Sequence, residues 1–167
     1  MSNTEERNPK AEDIDALPID QALYLMSDED ASVVYAVRSA IPAITKPVNE
    51  AVDAIKSGGK IIYAGAGTSG RLGVLDASEL PPTFGVPPAL FTAIIAGGDA
   101  AIRTAVEGAE DDTEASRNSA AAVTGRDFVL GISASGRTPF VLSFLYESKQ
   151  RCAQCWLLTS NDVKPPF

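Results

Sequence analysis

At 167 residues, 45% of them hydrophobic and 22% charged, the chain is long enough to bury one proper core and reads as an ordinary globular fold. No stretch reaches the roughly 18 uninterrupted apolar residues of a membrane span, and the opening MSNTEERNPKAED is polar and acidic, so the expected location is cytoplasmic with no membrane partner. A formal net charge of -8 opposes the basic footprint that binding to nucleic acid requires, so no nucleic-acid partner is expected; the absence of histidine removes Ser-His-Asp catalysis, Cys-His catalysis and most transition-metal sites.

Acid and base work must therefore fall to carboxylates, lysine, tyrosine or thiols, and no metal and no cofactor are expected. Cys152 and Cys155 form a single C-x-x-C, a spacing shared by redox pairs and by half of a zinc site. No second pair and no histidine accompany it, and it opens the apolar run CWLLTS, so buried or half-buried thiols are the expectation.

In chain order, residues 1 to about 15 read as a polar arm that stays mobile or packs against a partner. A short helix is expected from Pro18 to about Met26. Ser27, ahead of Glu29 and Asp30, looks like the cap of a longer helix that runs to Ser57, with Val33, Val34, Ala36, Val37 and Ile41 as its apolar face. Pro42 and Pro47 should kink or divide that helix, and Gly58 and Gly59 end it. The pattern then changes to alternating strands and helices. KIIYA at 60–64 reads as a buried strand, a glycine-rich turn leads into a helix from about Arg71 to Glu79 broken by Pro81 and Pro82, and Leu90 to Ile95 reads as a second strand. Helices are expected from about Asp99 to Glu110 and from about Asp111 to Val123, a strand over Asp127 to Ile132, a helix opened by Pro139 and running to about Arg151, and a fourth strand over Trp156 to Thr159. This alternation predicts an α/β domain over 58–167, with a parallel sheet between two helical layers, preceded by an arm and helices over 1–57. Ligands of such sheets bind beyond the carboxyl ends of the strands.

Two glycine- and hydroxyl-rich segments fall at such positions. In AGAGTSGRLG, Gly65, Gly67 and Gly70 let backbone approach a ligand, and Thr68 and Ser69 offer hydroxyls near a helix start beside Arg71. The same glycines match the dinucleotide spacing G-x-G-x-x-G, but the second strand runs into Ala96, Gly97 and Gly98 where an acidic residue would be required. SASGRTP repeats the chemistry with Ser133, Ser135, Gly136, Arg137 and Thr138. Hydroxyls plus helix-start amides can satisfy the three oxygens of a phosphate without a P-loop lysine, which suits a small phosphorylated metabolite. Each loop taken alone also fits plain helix capping.

The paired loops resemble the sugar isomerase (SIS) domain, and the run GAGTSGRLGVLDASELPPTFGVPP resembles the N-acetylmuramic acid 6-phosphate etherases, a likeness that continues through IIAGG, AVEGAED and ISASGRTP and begins upstream with TEERNP and MSDED. The resemblance implies an SIS-type three-layer fold and a lyase that cleaves the D-lactyl ether of N-acetylmuramic acid 6-phosphate to N-acetylglucosamine 6-phosphate and D-lactate. It implies catalytic roles for Glu79 in DASEL, as proton donor to the lactyl oxygen, and for Glu110 in AVEGAED, as the second acid or base. It implies phosphosugar contacts from Gly67, Thr68, Ser69, Gly70, Arg71, Ser133, Ser135, Gly136, Arg137 and Thr138. The glucokinase regulatory protein, similar in part, binds phosphosugars without catalysis, which keeps a non-catalytic sensor as the alternative. By the residues alone, Glu79 beside two prolines is a candidate solvated helix end. Glu110, among Glu107, Asp111 and Asp112, is a candidate solvated acidic face.

A regular helix from Arg71 to Glu79 would put Glu79 roughly 12 to 15 Å from the first loop, long for one hexosamine, so the expectation is a homodimer with the site completed at the interface. The chain also departs from the resembled family. LLTSNDVKPPF stands where ISCNP is usual, and a further strand and helices that the family supplies do not follow, so an incomplete domain with an unpaired strand edge is expected.

Overall fold

The computed structural model describes Thr4 and residues 6–165. The expected arm lies partly outside them, at residues 1–3 and 5, as do positions 166–167 of the expected domain. The chain divides between Val48 and Asn49 into two compact units.

In the first unit, short 3-10 turns at Pro9–Ala11 and Ile14–Ala16 precede helix α1, Ile19–Lys56, whose residues from Asn49 on belong to the second unit. The expected break at Met26–Ser27 is absent, because no residue there stops a helix and the serine lies inside it. Pro42 and Pro47 also lie inside it. Each removes one backbone donor and leaves the other bonds of the helix in place. Val33, Val34, Val37 and Ile41, read as the apolar face of the helix, stand exposed in the single chain. The arm is tied down through Asn8 Nδ2 and Lys10 Nζ, each donating to Glu29 at 2.6 Å. That pairing raises the Lys10 pKa and lowers the Glu29 pKa.

The second unit holds a four-stranded parallel sheet of order β2-β1-β3-β4, built from β1 Ile61–Gly65, β2 Phe91–Ile95, β3 Phe128–Ile132 and β4 Gln154–Leu158. Between them run α2 Gly67–Phe84, α3 Ala100–Arg103, α4 Thr113–Ser119 and α5 Pro139–Gln150. Alternating strand residues feed two cores. Ile62, Ala64 and Val129 pack with Val141, Phe144 and Leu145 of α5 and with Ala120 and Val123. Ile61 and Phe128 face the other way, against Ala51, Ala54 and Ile55 at the end of α1. The sheet is thus the middle of three layers, as the alternation implied. Among the described residues no helix is long and apolar enough to cross a membrane.

Close packing depends on particular residues. A Cβ on Gly131 would lie 2.6 Å from Leu145 Cδ1, so α5 can settle onto β3 only because that side chain is absent. Asp127, 3% exposed, accepts from the Lys60 and Thr124 amides at 3.0 and 2.8 Å and from the Thr124 hydroxyl at 3.0 Å. It thereby satisfies a buried charge and joins the starts of β1 and β3.

In the second unit, two helices depart clearly from expectation. The helix expected to span Asp99–Glu110 ends at Arg103, and the chain continues to a 3-10 turn at Ala109–Asp111 preceded by Gly108 at φ 72°. A positive φ suits glycine and breaks helical geometry. Helix α2 begins four residues earlier than expected and passes through Pro81 and Pro82, closing on Gly85 at φ 66°. Each proline removes one backbone donor, and the last turn still closes through Gly85 N–H donating to Pro81 O at 2.9 Å. Of the cysteines, Cys155 is half-buried and its thiol is pushed up to about 11 by burial. Cys152, expected to be at least half-buried, is instead exposed in the turn after α5, at φ 66°.

Candidate active site

Strand order decides where a site can form. From β1 the chain crosses to β2 on one side, while β3 lies on the other, so the carboxyl ends of β1 and β3 flank the point where the order reverses. Gly65 pairs with Ile132 in register, so the first loop leaves β1 directly beside the second loop leaving β3. The two segments read separately in the sequence become neighbours.

The first loop is tight. Its residues Gly67, Thr68, Ser69 and Gly70 form the opening turn of α2, and Ala66 precedes them in extended geometry. Gly70 N–H donates to Ala66 O at 3.2 Å, the first bond of the helix, which leaves the amides ahead of it for a ligand or water. Thr68 is exposed and Ser69 half-buried, and neither hydroxyl is hydrogen-bonded among the described residues. Gly65 and Gly70 serve packing. A Cβ on Gly70 would lie 2.6 Å from Ile95 Cγ1, and one on Gly65 would lie 2.6 Å from the Gly70 nitrogen. Gly67, exposed at φ 53°, is the glycine of this loop whose backbone is open to solvent.

The second loop is wired internally. Ser133, 2% exposed, has its hydroxyl 2.9 Å from that of Thr138 and 3.4 Å from that of Ser135, and it accepts from the Gly136 amide at 3.0 Å. Ser135 accepts from the Arg137 amide at 3.2 Å, while the Arg137 side chain is exposed. Pro139 opens α5, so the loop ends on a helix N-terminus that presents free amides in the same region.

Arg71 and Glu110 meet at a small cavity of about 170 Å³, lined also by Ala66, Gly67 and Glu107. Arg71 is half-buried, and its Nε donates to Ile102 O at 3.1 Å, which ties the end of α3 to the head of α2 and leaves the rest of the guanidinium for the cavity. A larger cavity of about 530 Å³ shares the wall Val106–Ala109 and extends toward Asp99 and Asp112. Glu110 thus lines a cavity shared with the first loop because the expected helix ends at Arg103, where Thr104 turns to extended geometry. Glu79 lies elsewhere: it is exposed on α2 and lines neither cavity. Twelve residues of helix separate it from Gly67, about 18 Å along the axis.

One polar contact near Glu79 escaped the sequence reading. Tyr63 on β1 donates to Asp76 Oδ2 at 2.6 Å, three residues before Glu79 on α2. Burial first, and then that hydrogen bond, raise the Tyr63 pKa, so the phenol stays a donor. The available signal was the carboxylate spacing, Asp76 and Glu79 sharing one helix face at i and i+3.

Comparison with known proteins agrees with this geometry. The chain is 52% identical over 163 residues to a protein from Caldanaerobacter subterraneus subsp. tengcongensis named N-acetylmuramic acid 6-phosphate etherase, a match covering 96% of this chain and 53% of the relative. It is 48% identical over 164 residues to a protein of the same name from Enterobacter sp. (strain 638), covering 97% of this chain and 55% of the relative. The chain therefore spans about half the length of the curated relatives it matches. Among solved structures, a phosphoheptose isomerase from Francisella tularensis superposes with a TM-score of 0.63 at 23% identity, covering 86% of this chain and 74% of that one. One from Neisseria gonorrhoeae gives 0.57 at 20% identity, covering 80% and 72%. At such identities the likeness is one of fold. The model of the glucokinase regulatory protein N-terminal SIS domain matches residues 43–149, well over half of the sequence, and the chain belongs to that family of SIS domains.

Proposed function

We propose that this chain belongs to an N-acetylmuramic acid 6-phosphate etherase and that its paired loops hold the sugar phosphate. The observation that carries the reading is the adjacency of two hydroxyl-rich, helix-opening loops at the carboxyl ends of neighbouring strands β1 and β3. Identity near 50% across almost the whole chain to relatives of that name supplies the reaction.

In the proposed reaction the open-chain aldehyde makes the proton on C2 acidic. A carboxylate removes it, the bond from C3 to the lactyl oxygen breaks, and that oxygen leaves as D-lactate after taking a proton from an acid. Water then adds across the C2–C3 double bond: its hydroxyl goes to C3 and its proton to C2, which yields N-acetylglucosamine 6-phosphate. Two carboxyl groups suffice. We assign Glu79 as donor to the leaving oxygen and Glu110 as the second acid or base. Thr68, Ser69, Ser133, Ser135 and Thr138, with the open amides ahead of Gly70, surround the phosphate; Gly70 and Gly136 shape the two loops, and Arg71 and Arg137 offset the phosphate charge.

The separation of Glu79 from the loops supports a site completed by a second copy of the chain. Leu72 and Leu75 stand 56% and 57% exposed on the same face of α2 as Glu79, and Phe84 is 71% exposed at the end of that helix, an unusual amount of apolar surface left to water. In this reading α2 lies in a homodimer interface, and Glu79 serves a ligand held mostly by the partner. A dimer in which both glutamates enter one subunit's pocket would rule that arrangement out.

The match to the SIS domain of the glucokinase regulatory protein favours a second reading, a phosphosugar-binding protein without catalysis. One assay separates the two: release of D-lactate from N-acetylmuramic acid 6-phosphate, by the parent chain and by Glu79→Ala and Glu110→Ala. Release that both substitutions abolish is the expected result. Binding of the phosphosugar without release would favour the sensor.

A further inference from the structure

The segment that follows β4 reaches the same end of the sheet as the two loops. Ser133 N–H donates to Leu158 O at 3.0 Å, and the ladder continues past both strands, with Ser160 N–H donating to Ala134 O at 3.1 Å. Two side chains converge on that same carbonyl. Thr159 Oγ1 donates to it at 3.1 Å and Asn161 Nδ2 at 2.9 Å. The Thr159 hydroxyl also accepts from the Asn161 amide at 3.2 Å, which fixes the segment's own turn. Contact extends to the next residues of the loop, since a Cβ on Gly136 would lie 2.8 Å from Thr159 Oγ1 and 2.5 Å from Val163 Cγ2.

A carbonyl oxygen offers two lone pairs, so three donors on one oxygen are more than satisfaction requires. Such convergence fixes the orientation of a peptide plane. In a trans peptide the C=O and the following N–H point in opposite directions. With Ala134 O held toward residues 159–161, the Ser135 N–H is directed away from them. Rotation of that plane would put an electron-rich oxygen on the side that the Ser135 N–H now faces, replacing a donor there with an acceptor that repels an anion.

We infer that Thr159, Ser160 N–H and Asn161 form a clamp on the Ala134 carbonyl that keeps the second loop in its anion-accepting shape. Thr159 and Asn161 are then positioning residues for the phosphate, acting through Ala134. The inference rests on the phosphosugar reading for its ligand, while the clamp itself has a ligand-free readout.

The test compares the parent chain with Thr159→Val, Asn161→Leu, the double variant and the conservative Thr159→Ser. Amide hydrogen exchange is followed at Ser135, Gly136 and Arg137, with β1 and β3 amides as the control for an intact core, and N-acetylglucosamine 6-phosphate is titrated by calorimetry. Because two donors remain after one is lost, each single variant should change exchange and Kd by less than about 3-fold, and Thr159→Ser should match the parent. The double variant should speed exchange in the loop and raise Kd by about 10-fold or more, with the core still protected. Unchanged exchange in the double variant would overturn the clamp, as would faster exchange at unchanged affinity. If the parent chain takes up no sugar phosphate, the phosphosugar reading fails, and exchange alone decides the clamp. Should the double variant lose core protection, Asn161→Asp takes its place: it sets an acceptor against the carbonyl and should move exchange in the same direction, and no movement would overturn the proposal.

Discussion

Ser133 is 2% exposed and bonded within its loop, whereas Thr68, of the same chemistry on the neighbouring strand's loop, stands in solvent with no hydrogen bond among the described residues. The second loop satisfies its own donors and acceptors, so its shape exists before any ligand arrives. Order in the first loop comes instead from glycines, Gly65 against Gly70 and Gly70 against Ile95, and its hydroxyls are left over. One loop is preorganised by polar wiring, the other by close backbone packing. A hydroxyl in the first should therefore matter to a ligand alone, and one in the second to both ligand and fold.

The largest expected effect lies outside both loops and tests whether they serve chemistry at all. Glu79→Ala and Glu110→Ala should each lower lactate release by about 10²–10⁴-fold, the range for loss of a positioned acid or base, with little change in the affinity for N-acetylglucosamine 6-phosphate. Equal loss of affinity and turnover would place the carboxylates among the binding groups instead. Next in size is Ser133→Ala, which leaves a buried network incomplete. It should cost about 1–3 kcal/mol in unfolding free energy by denaturant titration and weaken sugar-phosphate binding as well. Thr68→Ala should shift stability by no more than about 0.5 kcal/mol and still raise Kd by about 10-fold, because its hydroxyl is free for the phosphate. Stability losses of similar size from the two substitutions would erase the contrast between the loops. The smallest effect needs no mutation. In the free chain, amides at Gly136 and Arg137, both bonded to serine hydroxyls, should exchange more slowly than those at Gly67 and Thr68, which open α2.

Much of this was legible in the sequence because the signals were local. Short apolar runs marked all four strands to within two residues, and Pro139 marked the start of α5. The motif residues of both loops lie at strand-to-helix junctions, as their composition implied. Other features depend on pairings distant in sequence and left no local trace. The adjacency of β1 and β3 follows from strand order, and the clamp on Ala134 joins residues 25 and 27 positions apart. Other prolines misled, since Pro42, Pro47, Pro81 and Pro82 all sit inside helices that their chemistry alone would have kinked or ended. The early end of α3 had no local mark either, because helix formers flank Thr104, whose extended backbone closes the helix after Arg103.

The most direct test of the central claim, that the paired loops grip a phosphate, is calorimetric titration of the chain with N-acetylglucosamine 6-phosphate beside N-acetylglucosamine. Saturable binding of the phosphorylated sugar, at least about 100-fold tighter than the unphosphorylated one and weakened by Thr68→Ala, is the predicted result. Equal affinity for the two sugars, or binding indifferent to Thr68, would contradict it.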